Sequence, residues 1–116
     1  MKPHIKGKNY ERDIAKKLAG WFKTKVRRTP MSGAIHDFMS GDIICIDQTS
    51  IINRFQIECK KREKLNFWRT YEKTKNLAPV RTTPIVIATK NFYPDDLVVI
   101  SLEDFKNLLL EIEEKK

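Results

Sequence analysis

The sequence predicts a single α/β domain, a mixed sheet of about five strands flanked by helices, and three observations lead there. Apolar residues recur at helical spacing in three segments and at strand spacing in five short ones. The two kinds follow one another as α, β, β, β, α, β, β, α, an order that favours helices packed on the faces of a sheet. The 116 residues, 41% hydrophobic and 9% aromatic, suffice for one compact core and argue against a second.

The first helix is expected from an N-cap at Asn9 to about Phe22. Tyr10, Ile14, Leu18 and Trp21 make one stripe along it, and Glu11, Ala15, Leu18 and Phe22 make the adjacent one. Glu11 therefore opens a stripe that faces the core, a costly place for a carboxylate without a partner. "KVRRT" reads as a short edge-like strand before Pro30, "MSGAIHDFMSGD" as a loop, and "DIICID" as a short buried strand with Asp42 at its entrance. "QTSIIN" is too short for a helix and reads as a hairpin connection, so "DIICID" and "RFQIECKK" should pair antiparallel. A second helix, "NFWRTYEKTKNLA", takes Asn66 as its cap and carries Phe67, Tyr71 and Thr74 on one side. "TPIVIATK" and "DLVVIS" supply two more strands, and "LEDFKNLLLEIEEKK" is an amphipathic helix with Leu102, Phe105, Leu109 and Ile112 expected inward.

Charge constrains the partner. Lys and Arg outnumber Asp and Glu by 23 to 15, and the excess lies before Glu103, in clusters such as "KGKNYERDIAKK", "KTKVRR" and "KKREK". Basic clusters on a folded domain favour a polyanion such as nucleic acid, although lysine that only confers solubility gives the same net charge. No apolar run approaches the ~20 residues of a membrane span, and "MKPHIKGKNYERD" has no signal-peptide character, so a soluble, cytoplasmic protein is expected. Cys45 and Cys59 lie in strand-like runs and are expected as buried free thiols of a reducing compartment. A zinc site using them with His4 and His36 would lack the closely spaced ligand pairs such sites use.

In "FQIECKK", Phe55, Ile57 and Cys59 alternate with Gln56, Glu58 and Lys60. Period two puts the charged set on one face, with Glu58 and Lys60 about 6–7 Å apart. A solvated strand face would look the same, but Asp42 heads the preceding strand and Glu11 lies on a helix that must cover the same sheet. Carboxylates from two strands suit a hard divalent cation such as Mg²⁺, which takes few protein oxygens and keeps several waters. Such a metal activates water for phosphodiester hydrolysis, and a lysine beside it can stabilise the developing charge.

Several side chains carry two readings. Phe67, Trp68 and Tyr71, interleaved with Arg69 and Lys73, can stack on unpaired bases or serve as core or dimer contacts. His36 is a proton shuttle or an ordinary loop histidine, Asp37 a weaker alternative to Asp42, Asp47 a turn residue, and Gln56 a possible contact to metal-bound water or DNA.

These residues bring the sequence close to a known group. In "GKNYERDIAKKLAGWF", "SGA" at Ser32 to Ala34, "GDIICID", "QIECKK", "PIVIATK" and "DLVVISLEDFKNLL" it resembles the archaeal Holliday junction resolvases and their phage relatives within the PD-(D/E)xK nuclease superfamily. The resemblance spans nearly the whole chain and implies a restriction-endonuclease-like fold. It implies Glu11, Asp42 and Glu58 as the acidic metal-site residues, the Cys59 backbone carbonyl as a further ligand, Lys60 as the catalytic lysine, and Ser32 as a loop residue that assists cleavage. The expected DNA contacts are Lys8, Arg12, Arg27, Arg28, Ser32, Gly33, Lys61 and Arg62. Mg²⁺ is the expected cofactor with Mn²⁺ as a substitute, four-way or otherwise branched DNA the substrate, and a homodimer the active form. Gly41 stands where the superfamily usually has proline. A restriction- or repair-type nuclease of the same superfamily, and an inactive DNA-binding module, are the alternatives.

Overall fold

The computed structural model describes residues 3–28 and 42–116, with side chains from Gly7 onward. Ser32, Gly33, His36, Asp37 and Gly41 lie outside these residues, as does the side chain of His4. Helix α1 spans Pro3–Phe22, strand β1 Val26–Arg28, β2 Ile43–Cys45, a 3₁₀ turn Ile51–Arg54 and β3 Phe55–Lys61. Helix α2 (Phe67–Leu77), β4 (Thr83–Thr89), β5 (Leu97–Val99) and α3 (Leu102–Glu114) follow. Among the described residues, five strands in two sheets with three helices make the mixed α/β, restriction-endonuclease-like architecture.

Helix α1 starts well before Asn9, so that residue lies within the helix and does not cap it. Proline at the first helical position loses no intrahelical bond, and its fixed φ already suits the helix. Asn66 does cap α2, its side chain accepting the Arg69 N–H at 3.0 Å.

In the larger sheet β3 and β4 are parallel, joined by α2 as the crossover, and β5 is antiparallel to β4. The parallel pair has cover on both faces, which explains the nearly continuous apolar run of β4. On one face Ile57, Cys59, Ile85 and Ile87 meet Tyr10 and Ile14 of α1, with Ile43, Cys45 and Ile52 completing the core. Helix α2 packs on β4, where Val86 is wholly buried, and Thr74 is the buried residue of the helix. Both cysteines are buried free thiols, as expected.

The expected hairpin between β2 and β3 is not formed as a ladder. Strand β2 pairs antiparallel with β1 instead, with Arg28 opposite Ile43 and Val26 opposite Cys45. Side chains take the groups that a β2–β3 ladder would have used. Asn53 accepts the Cys45 N–H at 3.2 Å and donates to the Cys45 carbonyl at 3.0 Å, so the chain turns through the 3₁₀ segment before β3 begins.

The apolar stripes are also covered less completely than their periodicity suggests. Trp21 and Phe22 are exposed. A helix of 20 residues runs about 30 Å, whereas three-residue strands such as β1 and β2 reach only about 10 Å. The larger departure is α3, where Leu102, Phe105, Leu109 and Ile112 face outward, Leu102 at 80% exposure. The half-buried side consists of Asp104, Leu108 and Glu111. Arg54 Nη2 donates to both carboxylate oxygens of Glu111, at 3.0 and 2.8 Å, on the mixed face that the helix turns toward the body.

Candidate active site

Asp42 joins the two sheets. Its backbone N–H donates to the Ile57 carbonyl at 2.8 Å, and its Oδ2 accepts the Cys59 N–H at 2.7 Å. The carboxylate is thereby held against the middle of β3, between the positions that carry Glu58 and Lys60. Those two, both half-buried, form an ion pair with Lys60 Nζ 3.2 Å from Glu58 Oε1. Glu11 finds the partner its position requires in Arg28 of β1, whose Nε donates to Oε2 at 3.2 Å.

The electrostatics show how tightly this negative charge is gathered. Burial, and then the charge of Glu58, push the Asp42 carboxyl up to about 7; Glu11 adds to the rise, while the Cys59 N–H and Lys60 oppose it. Glu58 and Glu11 are thus both close enough to act on Asp42. Burial first, and then Asp42, Glu11 and Glu58, also raise the Cys59 thiol, which keeps it protonated and unsuited to nucleophilic attack.

Among the described residues no three His, Cys, Asp or Glu side chains form a group able to hold a metal ion. Asp42 rests on the Cys59 N–H and feels the charge of Glu58, so two carboxylates and the intervening Cys59 carbonyl are the donors available here. All are hard oxygen donors. One or two carboxylates with remaining positions filled by water are what Mg²⁺ takes, and a cation there would offset the burial and the neighbouring negative charge that hold Asp42 high.

The other predicted residues fall in several environments. Arg12, Arg27 and Arg62 are exposed, and Lys8 and Lys61 are half-buried. Gln56 is buried and so is not presented to a substrate. Asp47 is a turn residue as expected, its Oδ1 accepting the Thr49 N–H and hydroxyl. Replacing Lys61 and Arg62 with alanine is expected to weaken DNA binding regardless of sequence and to flatten the dependence of log K on log salt by about one per lost phosphate contact. Fluorescence anisotropy at several salt concentrations measures this, and an unchanged slope removes the pair from the interface.

Sequence reasoning missed Asp96, in the turn before β5. It accepts the Tyr10 hydroxyl at 2.8 Å and Lys17 Nζ at 2.6 Å, tying α1 to the far end of the sheet. Burial pushes its carboxyl up, but the hydrogen bonds from Lys17 and Tyr10 and the nearby charge of Lys61 outweigh burial and hold it low. Nothing periodic in "NFYPDD" marks such a contact across 86 positions.

Comparison with protein families matches residues 2–115 to the family described as "Phage putative PDDEXK endonuclease". No match is found among curated proteins or among solved structures.

Proposed function

Because the chain belongs to the family described as "Phage putative PDDEXK endonuclease", and so is a nuclease of the PD-(D/E)xK type, we propose that it cuts branched DNA, four-way junctions above all, by metal-dependent hydrolysis as a homodimer. The observation that carries the hydrolytic reading is the Asp42 carboxylate seated on the Cys59 N–H beside the Glu58–Lys60 pair. Preference for junctions is supported by the sequence resemblance to resolvases.

Asp42, Glu58 and the Cys59 backbone carbonyl would hold Mg²⁺, or Mn²⁺ in its place, which when bound polarises a phosphate oxygen and yields hydroxide near neutral pH. The Cys59 N–H fixes the rotamer of Asp42, so the carboxylate needs no reorganisation when substrate arrives. Lys60 is tethered by Glu58 in the orientation from which its ammonium can meet charge developing on the phosphoryl oxygens. Arg28 holds Glu11, one of the two carboxylates whose charge raises Asp42. Arg12, Arg27, Lys61 and Arg62 lend positive charge for gripping the backbone of DNA, contacts that position a substrate without reading its sequence.

The test is a labelled four-way junction and its linear duplex control, each with Mg²⁺ or with EDTA, resolved on native and denaturing gels. Paired nicks in opposed junction strands with the duplex spared are expected in Mg²⁺ alone. Equal cutting of both substrates would instead indicate a general nuclease, and a shifted but uncut junction an inactive binding module.

The homodimer has a candidate surface in the outward face of α3, where Leu102, Phe105, Leu109 and Ile112 are all exposed. A second copy of the chain would cover an apolar stripe that this chain leaves in water. Replacing Phe105 and Leu109 together with glutamate is expected to convert a dimer into a folded monomer, read as a halved mass by light scattering. An unchanged mass would place the interface elsewhere.

A further inference from the structure

A cavity of about 340 Å³ opens beyond the carboxyl ends of β3 and β4, beside the start of α2. In open sheets with parallel strands this is where ligands bind, and the volume is that of a small-molecule site. Phe67 and Tyr93 contribute aromatic walls, Leu97 adds apolar surface, and Arg62 and Lys90 bring positive charge. Lys90 Nζ stands 5.9 Å from the centre of the Tyr93 ring. Two backbone bonds and one to a lining carboxylate hold the walls in place: Arg62 N–H to the Thr89 carbonyl at 3.1 Å, Tyr93 N–H to the Lys90 carbonyl at 3.3 Å, and Asn91 N–H to Glu63 Oε2 at 2.8 Å. The site is therefore formed before any ligand arrives.

Two further features indicate what it takes. Arg62 follows Lys60 by two residues, about 6–7 Å along the chain, a distance comparable to the spacing of successive phosphates on one strand. A strand whose phosphate lies at Lys60 thus has its neighbouring nucleotide at the cavity. Phe92, at the tip of the β4–β5 turn beside Tyr93, is fully exposed and has φ 62, a left-handed backbone that is an outlier for a bulky residue. An aromatic ring held in water on a strained backbone contributes nothing to the core, and such strain clusters at ligand sites. Flat apolar walls flanked by cations suit a nucleobase stacked on an aromatic face with its phosphate outside. A base stacked and paired within a duplex offers no free face to enter.

We infer that the cavity walled by Phe67 and Tyr93 binds an unpaired nucleobase of the strand lying across Lys60, so that the preferred substrate carries an unpaired nucleotide next to the cleaved phosphate. The inference rests on the nuclease reading of the neighbouring site for its orientation. It is tested by binding in EDTA, where hydrolysis plays no part. A duplex with a single-nucleotide bulge of 2-aminopurine is compared with the fully paired duplex by anisotropy, and the emission of the analogue is followed. The full-length protein is expected to bind the bulged duplex about 10-fold more tightly and to quench 2-aminopurine. Phe67→Ala and Tyr93→Ala should each reduce that preference and the quenching while leaving affinity for paired duplex and the circular dichroism spectrum unchanged. Equal affinity for the two duplexes, no quenching by the unaltered protein, or a preference untouched in both variants would overturn the inference. Failure of the nuclease reading appears separately, as a bulge preference without any Mg²⁺-dependent cleavage.

Discussion

Replacing Asp42 with asparagine is expected to abolish cleavage and, at pH 8, to raise the thermal stability of the metal-free protein. The two effects have one origin. Asp42, the proposed metal ligand, is held in a place where burial and the charge of Glu58 oppose its ionisation, lifting its carboxyl from 3.8 to about 7. Below pH ~4 the group is protonated in both folded and unfolded chains. Between pH ~4 and ~7 the unfolded chain releases the proton while the folded one retains it, so stability falls as pH rises through this window. Above the folded value the loss is complete, on the order of 4 kcal/mol. Asparagine keeps an oxygen to accept the Cys59 N–H and carries no charge, so it avoids the whole of that loss at pH 8 and only about a third of it at pH 5. Cleavage should drop by at least about 10²- to 10³-fold, since the substitution removes charge that would hold the cation. Melting curves in EDTA at the two pH values, with single-turnover cleavage in Mg²⁺, measure both effects. A variant that melts lower at pH 8 would show that Asp42 ionises there without strain.

Lys60→Ala is the second large effect, an expected fall in the cleavage step of about 10²- to 10³-fold at saturating Mg²⁺, with junction binding in EDTA only modestly weaker. Lys60 pairs with Glu58 at 3.2 Å and its charge eases the ionisation of Asp42. Its loss should also raise the Mg²⁺ concentration needed for half-maximal rate, because Asp42 gives up its proton less readily. A Mg²⁺ titration of the single-turnover rate separates the roles. Recovery of the full rate at high Mg²⁺ would limit Lys60 to assisting metal binding and remove it from the chemistry.

Much of this site was legible without a structure because strand periodicity is local. Glu58 and Lys60 share a face in any sheet that contains "FQIECKK", and an aspartate heading an apolar strand is visible whatever that strand pairs with. The capped start of α2 and the buried thiols follow from equally short-range rules. The pairing of β2 was misread because the decisive competitor was the Asn53 side chain, which captures both backbone groups of Cys45, and no periodic pattern announces such a capture. The inward face of α3 was misread for a different reason. An amphipathic pattern says that a helix has an apolar side, and it leaves open whether the same chain or another one covers it.

The sequence by itself determined the element types, the basic surface and the carboxylate-and-lysine pattern on which the proposed chemistry rests, since each depends on composition or on neighbours a few positions apart. Only the tertiary structure decided that Asp42 spans two sheets to reach the Cys59 N–H, that Arg28 is the partner of Glu11, and that Asp96 ties Tyr10 and Lys17 to the end of the sheet. Those contacts join residues far apart in the chain, and their energy depends on distances that exist only once the sheet and helices have packed.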